Sequence, residues 1–325
     1  RMIPLTDFFR NPETANYTIS PDGEHIAFMK PWENRLNVYV RKVGEQAETR
    51  LTGARDRDIA RYAWANKNRI VYVQDTGGDE NYRLYAIDVD GSGYKELTPF
   101  AGVRAGIVDP LEDNDAEMLI RLNRRDPKVF DVYRINITTG ALELVAENPG
   151  NVSEWLTDNE GRLRVAVTTD GVQSSLLYRK TEKDPFRTLA TTDFKSTLAP
   201  LFFSFDNQRL YVSSNLGRDK TAVYLYDLGA GRLLDLVYEH PEVDVSGLLR
   251  SKARQVITGV AFTTDKPQYR FFDPERRRLQ EALEARLPGR RVAVTGMSRD
   301  ERRVIVRTFS DKSLGACYLY EPFSG

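Results

Sequence analysis

A short strand-like segment centred on a tyrosine recurs seven times along this chain. The seven tyrosines lie 46, 48, 45, 46, 45 and 49 residues apart, by subtraction of their numbers. A repeat of about 40 to 50 residues is typical of the four-stranded blades of β-propellers, and seven such units use all 325 residues. The segments centre on Tyr39, Tyr85, Tyr133, Tyr178, Tyr224, Tyr269 and Tyr318.

Each unit also contains an apolar run that begins 13 to 15 residues before its tyrosine, such as residues 26–28 and 304–306. Turns rich in Asp, Asn and Gly precede several of these runs, as in Ser20-Pro21-Asp22-Gly23, and these residues favour tight hairpins. A further turn and a short strand follow the tyrosine. The sequence therefore predicts one all-β domain over residues 1–325, a seven-bladed β-propeller of four-stranded antiparallel blades. Eight blades, or one distorted blade, is the alternative left open.

One segment departs from the strand pattern and predicts a short helix over about 274–287, between blades six and seven. Asp273 is placed to cap this helix, Pro274 suits its first turn, and Pro288-Gly289 ends it. Leu279 and Leu283 lie four residues apart, so they would pack along one face.

Other architectures and several function classes fit the sequence poorly. Strands do not alternate with helices, as a doubly wound sheet or a TIM barrel requires, and the Trp-Asp dipeptide of WD40 blades is missing. No apolar run approaches the roughly 20 residues of a membrane-spanning helix. Lys plus Arg and Asp plus Glu both number 47, which argues against nucleic-acid binding through net charge. We expect neither a membrane nor a nucleic acid as a partner.

The residues needed for a self-contained active site are not found together. A Gly-x-Ser-x-Gly elbow, a P-loop and a dinucleotide-binding fingerprint are all missing. The two histidines, His25 and His240, fall in different units. The single cysteine, Cys317, lies in an apolar strand and is expected to be buried and inert. We therefore predict no catalytic residues, no cofactor and no metal site in this chain.

Several longer stretches resemble the propeller of prolyl-oligopeptidase-type serine peptidases, the S9 family. They are residues 7–13, 74–85, 213–224 and 240–247, together with the turn at 20–23. The likeness is nearest to the bacterial acylaminoacyl-peptidase and dipeptidyl-aminopeptidase branches. In that family an α/β-hydrolase domain with a Ser-Asp-His triad follows the propeller, and we expect it to be absent here because the chain stops where it would begin.

The resemblance implies a non-catalytic half of a peptidase. By family, this half covers the active site and admits only small peptides, so its partners would be the hydrolase domain in cis and small peptide substrates. The uncovered docking face predicts self-association of the chain alone. The compartment is unknown, and the bacterial relatives slightly favour a periplasmic or extracytoplasmic location. A stand-alone propeller that serves as a protein-interaction platform is the alternative function.

Dipeptidyl-peptidase members of the family hold the substrate amino terminus with a pair of glutamates in the propeller. An adjacent Glu-Glu pair does not occur in this sequence, where Asp79-Glu80 and Glu154-Trp155 come nearest. The missing pair argues against strict release of dipeptides by the parent protein and leaves an acylaminoacyl or oligopeptidase activity open, with a dipeptidyl type kept as a further alternative.

Two charged loops are the candidates for contact with a substrate or with the hydrolase domain. Both join the second and third strands of their units, so they should emerge at one face of the propeller and share a cavity wall. The alternative interpretation is that they form structural ion pairs or solvated loop tips. The candidates are Asp79, Glu80, Asn81 and Arg83 in the first loop, and Asn215, Arg218, Asp219 and Lys220 in the second.

Overall fold

The structure is a computed structural model that describes residues 14–309 and 315–321. The stretch 7–13, part of the family resemblance, lies outside the described residues. The chain divides into two compact units, residues 1–147 with 287–325, and residues 148–286. Seven antiparallel sheets follow one another along the chain, and each is a meander whose strands pair in sequence order. The predicted fold class, a seven-bladed β-propeller, is confirmed.

The first unit contains blades one, two, three and seven. Blade one comprises β1 (Ala15–Ile19), β2 (His25–Trp32), β3 (Arg35–Lys42) and β4 (Glu48–Arg50). Blade two comprises β5 (Arg61–Asn66), β6 (Arg69–Gln74), β7 (Arg83–Asp88) and β8 (Lys95–Glu96). Blade three comprises β9 (Ala105–Asp109), β10 (Glu117–Asp126), β11 (Val129–Asn136) and β12 (Leu142–Ala146). Blade seven comprises β24 (Arg291–Met297), β25 (Val304–Phe309) and β26 (Cys317–Tyr320).

The second unit contains blades four, five and six. Blade four comprises β13 (Val152–Thr157), β14 (Leu163–Thr169), β15 (Gln173–Tyr178) and β16 (Arg187–Asp193). Blade five comprises β17 (Leu198–Phe203), β18 (Arg209–Ser214), β19 (Ala222–Asp227) and β20 (Arg232–Tyr238). Blade six comprises β21 (Val245–Ser251), β22 (Val256–Thr263) and β23 (Pro267–Phe271), and the helix α1 (Pro274–Arg286) follows it.

Blades six and seven have three strands each within the described residues, whereas four were predicted. In blade six the helix α1 takes the place in sequence that the fourth strand has in blades one to five. The predicted cap is present, because Asp273 Oδ2 accepts a hydrogen bond from the Arg276 amide at 2.8 Å. Leu283 is buried and Leu279 is half-buried, as the apolar stripe predicts.

The seven repeat tyrosines all lie on the third strands of their blades, which confirms the repeat as the unit of the fold. The first five are buried or half-buried between neighbouring sheets, as predicted. Tyr269 and Tyr318 are exposed, because the third strand is the outer strand in a three-stranded blade. The expectation that Cys317 is buried is wrong for the same reason, since it lies on the edge strand β26 and is exposed.

The hydrophobic core consists of layers between successive sheets within each unit. The second strands supply most of it, since their side chains face sheets on both sides and are apolar nearly without alternation. In the first unit Ile70 packs toward blade one, whereas Val71 packs toward blade three. Phe28 packs with Ile305 of blade seven. In the second unit Val165 and Leu210 share one layer, and Val223 and Val260 share the next.

The turns between first and second strands repeat one hydrogen-bonded arrangement. In blades one, five and seven a serine donates its hydroxyl to an aspartate two residues later, at 2.5 to 2.6 Å. The same hydroxyl accepts the amide of the residue five positions on, which closes the turn. The pairs are Ser20 with Asp22, Ser204 with Asp206 and Ser298 with Asp300.

These turns predict a loss of stability in acid that depends on the aspartates. The hydrogen bond from Ser298 lowers the pKa of Asp300 below its ordinary value of 3.8. A carboxyl with a depressed pKa stabilises the folded state above its unfolded pKa and stops doing so as the pH falls through its folded pKa. Replacement of Asp300 by Asn should therefore lower the free energy of unfolding at neutral pH, and the difference from the wild type should shrink below about pH 3.8.

Urea denaturation at neutral pH and in acid measures this difference. The matched control is Asp219→Asn, since Asp219 is 87% exposed in its side chain and pairs only with its neighbour Lys220 among the contacts described. A difference between wild type and Asp300→Asn that stays constant with pH would contradict the prediction.

In the part of the chain that the structure describes, no helix combines the length and the apolar character needed to cross a membrane.

Candidate functional site

The first candidate loop joins β6 to β7, over residues 75–82. Asp79 closes the loop on itself, because its carboxylate accepts the amide of Asn81 at 3.0 Å and the side-chain amide of the same residue at 3.3 Å. The backbone hydrogen bond from Asn81 lowers the pKa of Asp79. Glu80 is exposed at the tip with a positive φ of 56°. Asp79 and Asn81 thus shape the loop, while Glu80 faces solvent.

Arg83 begins β7 and binds across the blade. Its Nη1 donates to Glu96 Oε1 of β8 at 2.9 Å, and this bond raises the pKa of the guanidinium. Its Nε is buried and has no hydrogen-bond partner among the described residues. This arginine is half-buried and is held by its own blade.

The second candidate loop joins β18 to β19, over residues 215–221. Asn215 bridges two loops, because its Oδ1 accepts the amide of Thr197 at 2.6 Å and its Nδ2 donates to the carbonyl of Lys195 at 3.2 Å. Arg218 donates to the Tyr224 hydroxyl at 3.0 Å and also to Glu239, and the bond to Tyr224 raises its pKa. Asn215 and Arg218 therefore fasten this loop to its neighbours.

Asp219 and Lys220 form the outer part of the second loop. Their side chains pair with each other at 3.2 Å, and Asp219 is exposed. An ion pair of this kind contributes little stability in water, so both charges stay free to meet a ligand or a second domain.

The two loops belong to different units, and each occupies the same position within its blade. That they share a cavity wall stays a prediction, as does their contact with a substrate or a hydrolase domain. Five of the eight residues are engaged in hydrogen bonds that fix the loops or the strand beside them, namely Asp79, Asn81, Arg83, Asn215 and Arg218. The tips, with Glu80, Asp219 and Lys220, are the members with freely accessible charge.

Three exposed apolar residues lie at loops of blades four and five, one of them in the second loop, and the sequence did not single them out. Val172 is 61% exposed and directly precedes β15, and Phe194 is 75% exposed and directly follows β16. These antiparallel strands pair Gln173 with Asp193, so Val172 and Phe194 lie at the same end of the pair. Leu216 follows Asn215, whose side chain binds the loop after Phe194. We call Val172, Phe194 and Leu216 the apolar tips. Exposed apolar side chains at loop tips are candidates for contact with another protein or domain.

A cleft of about 410 Å³ lies in the first unit, beside the first candidate loop. Its walls are the segment 52–57 that follows blade one and the carboxyl end of β6, with Tyr72 and Tyr85. Arg57 Nε donates to Asp75 Oδ1 at 3.2 Å within it. The sequence analysis missed Arg57 and Asp75 as site residues. The alternating charges of residues 55–58, and a carboxylate directly after a buried strand, could have pointed to them.

Within residues 14–309 and 315–321 no group of three or more His, Cys, Asp or Glu is placed to hold a metal ion. His240 accepts the amides of Glu242 and Val243 at its Nδ1, at 3.1 and 3.3 Å, and its ring packs on Phe262. The Nδ1 atom of His25 is buried and has no hydrogen-bond partner among the described residues. In the described part of the chain, the imidazole ring of neither histidine is hydrogen-bonded to a serine hydroxyl.

No family model matches this chain. Among curated proteins it is 28% identical over 334 residues to dipeptidyl aminopeptidase BIII of Pseudoxanthomonas mexicana, with all of this chain and 47% of that protein aligned. It is 24% identical over 288 residues to dipeptidyl peptidase family member 6 of Caenorhabditis elegans, with 82% of this chain and 38% of that protein aligned. The resemblance to the propeller of S9 peptidases is confirmed. The chain spans less than half the length of these two relatives.

Solved structures agree with this fold. One from a study of two prolyl endopeptidases superposes with a TM-score of 0.64 at 13% identity, over 97% of this chain and 51% of the other. A puromycin hydrolase superposes with a TM-score of 0.63 at 16% identity, over 96% of this chain and 52% of the other. At these identities the superpositions establish a shared fold and nothing about substrates.

Proposed function

We propose that this chain is the non-catalytic propeller of an S9-type serine peptidase, which covers the active site of a hydrolase domain and restricts access to small peptides. The observation on which the proposal rests is the alignment of the entire chain with less than half of a dipeptidyl aminopeptidase. Within the second unit, the charged tips Asp219 and Lys220 and the apolar tips lie at strand ends of blades four and five, where a second domain could contact them. This chain by itself would hydrolyse no peptide, because it lacks a serine elbow.

The names of both curated relatives favour release of dipeptides by the parent protein. The absence of an adjacent glutamate pair leaves open which carboxylates would bind a free amino terminus. Glu154 on β13 is one candidate, since this glutamate is exposed.

The protein translated from the complete reading frame should prefer short peptides strongly. Because a covered active site excludes substrates by size, kcat/KM should fall by about 100-fold or more between short peptides and an unfolded protein that contains the same cleavage sequence. Turnover of dipeptide p-nitroanilides, which have a free amino group, would be compared with turnover of acylaminoacyl p-nitroanilides, which lack one. The comparison would separate the two branches. The purified chain of residues 1–325 is the control and should show no turnover of any of them.

Equal cleavage of the short peptides and the unfolded protein would refute the gating function. Turnover by the purified propeller alone would refute its non-catalytic character. A reading frame without a hydrolase domain would favour the alternative, a protein-interaction platform, for which the apolar tips would be the natural contact surface.

A further inference from the structure

The cleft beside the first loop contains a carboxylate oxygen with no hydrogen-bond donor. Asp75 is 5% exposed, and its Oδ1 accepts from Arg57, whereas its Oδ2 is buried and has no partner among the described residues. A buried acceptor without a donor typically costs about 1–3 kcal/mol. Such an atom in the wall of a cleft is satisfied when a ligand brings a donor to it.

The charges around the cleft favour a cation over an anion. The guanidinium of Arg57 pairs with Asp75, and that of Arg55 pairs with Glu33 at 3.2 Å. Asp56 also lines the cleft, is exposed, and has no ion-pair partner among the described residues. Both guanidinium groups that line the cleft are therefore engaged by carboxylates, whereas the carboxylate of Asp56 and the Oδ2 atom of Asp75 remain available to a cation.

The opposite wall is aromatic. Tyr72 and Tyr85 both line the cleft, and their rings stack with centroids 5.3 Å apart. Tyr85 also stacks on Tyr94, with centroids 6.2 Å apart, so its ring faces are covered by two tyrosines. A ring face attracts ammonium and guanidinium groups, so Tyr72 adds to the attraction of the carboxylates. Gly77 lies at the mouth with a φ of 60°, and the space where its Cβ would stand is empty. The backbone there leaves room for a ligand to approach.

We propose that this cleft binds a primary ammonium group, which donates to Asp75 Oδ2 and lies against the ring of Tyr72. An amino terminus of a peptide and a lysine side chain both supply this chemistry. Arg57 has 46% of its side chain exposed and holds Asp75 through one hydrogen bond, so its displacement opens the carboxylate to the ligand. Asp56 adds a second negative charge at the entrance.

Isothermal titration of the purified chain tests the site with three probes. Ala-Ala amide offers an α-ammonium group, N-acetyl-lysine amide offers only a side-chain ammonium, and N-acetyl-Ala-Ala amide offers neither. We expect binding of at least one of the first two and none of the third. The first two probes also tell which source of the ammonium group the cleft prefers.

Asp75→Asn should weaken that binding about tenfold or more, because the charge-assisted hydrogen bond is lost while the side-chain size is kept. Glu45→Gln is the matched control, since it removes an exposed carboxylate of the same unit that pairs with Lys42 and does not line the cleft. Should Asp75→Asn fail to fold, Asp56→Asn replaces it and should weaken binding about threefold, as expected for an exposed charge.

Equal binding of the acetylated dipeptide amide, no binding of either amine, or unchanged affinity in the folded Asp75→Asn variant would each overturn the proposal. The titration uses the chain alone, whereas the proposed function is tested by turnover of the complete protein. The two proposals can therefore fail separately.

Discussion

Replacement of Asp158 by alanine should lower the free energy of unfolding by about 3–5 kcal/mol, because it leaves a buried arginine without its counter-ion. The side chain of Asp158 is fully buried in the turn between β13 and β14. Its Oδ2 accepts from Arg164 Nη1 at 3.1 Å, and the side chain of Arg164 is only 8% exposed. Guanidinium denaturation of the purified chain measures the change.

The network around Arg164 explains why one carboxylate has so large an effect. Its Nη2 donates to the Tyr178 hydroxyl at 2.7 Å and its Nη1 also donates to the carbonyl of Asn207 at 3.1 Å, which ties blade four to blade five. The Oδ1 atom of Asp158 accepts the amides of Glu160 and Arg162, at 3.0 and 3.1 Å. Loss of the carboxylate would therefore remove the partner of a buried charge and open the turn.

Arg162→Ala is the matched control. Arg162 donates to the same oxygen of Asp158 at 2.8 Å, but 43% of its side chain is exposed. Its removal should cost no more than about 1 kcal/mol, because water replaces an exposed ion-pair partner. A loss below 1 kcal/mol in Asp158→Ala, or equal losses in both variants, would mean that the buried pair contributes little.

The sequence predicts the fold well because the fold repeats. A tyrosine every 45 to 49 residues marks the third strand of each blade, and the apolar run before it marks the second. Because the same pattern occurs seven times, a single ambiguous strand does not change the predicted fold class. The pattern fails only at Tyr269 and Tyr318, where a missing fourth strand in the described structure exposes the third.

Site residues are harder to predict because the partner of a charge depends on tertiary contacts. The sequence places Arg218 on a loop, but its bond to Glu239 spans 21 residues and the two strands β19 and β20. Arg164 stands inside an apolar run, where nothing nearby in sequence identifies Tyr178 or Asn207 as its partners. Asp75 likewise meets Arg57 across the boundary between two blades. The sequence predicts which residues lie on loops, whereas it does not predict which partner each charged side chain binds.

The double replacement Phe194→Ser and Leu216→Ser should have the largest effect on association. Under the proposed function the apolar tips face a second domain, and exposed aromatic residues of this size often dominate such contacts. We expect affinity for a separately produced hydrolase domain from the same reading frame to fall about 30-fold, as the loss of two anchoring side chains implies. Titration by surface plasmon resonance measures it.

The same double replacement should also reduce self-association of the chain alone. With no second domain present, the apolar tips of one copy are available to those of another, and sedimentation velocity should show concentration-dependent association. The double variant should sediment as a monomer over the same concentrations. Its stability should change by less than about 0.5 kcal/mol, because both side chains are exposed in the folded chain.

Leu236→Ser is the control that separates these tips from apolar surface in general. Leu236 is 45% exposed, more than Leu216 at 37%, but it lies on the outer strand β20 of blade five instead of at a loop tip. The Leu236→Ser replacement should leave unchanged both the affinity for the hydrolase domain and the self-association of the chain. Equal loss in Leu236→Ser would assign docking to the outer edge of the blade, and full affinity in the double variant would place the interface away from the tips. In either case the charged tips at Asp219 and Lys220 would lose their role as neighbours of that interface.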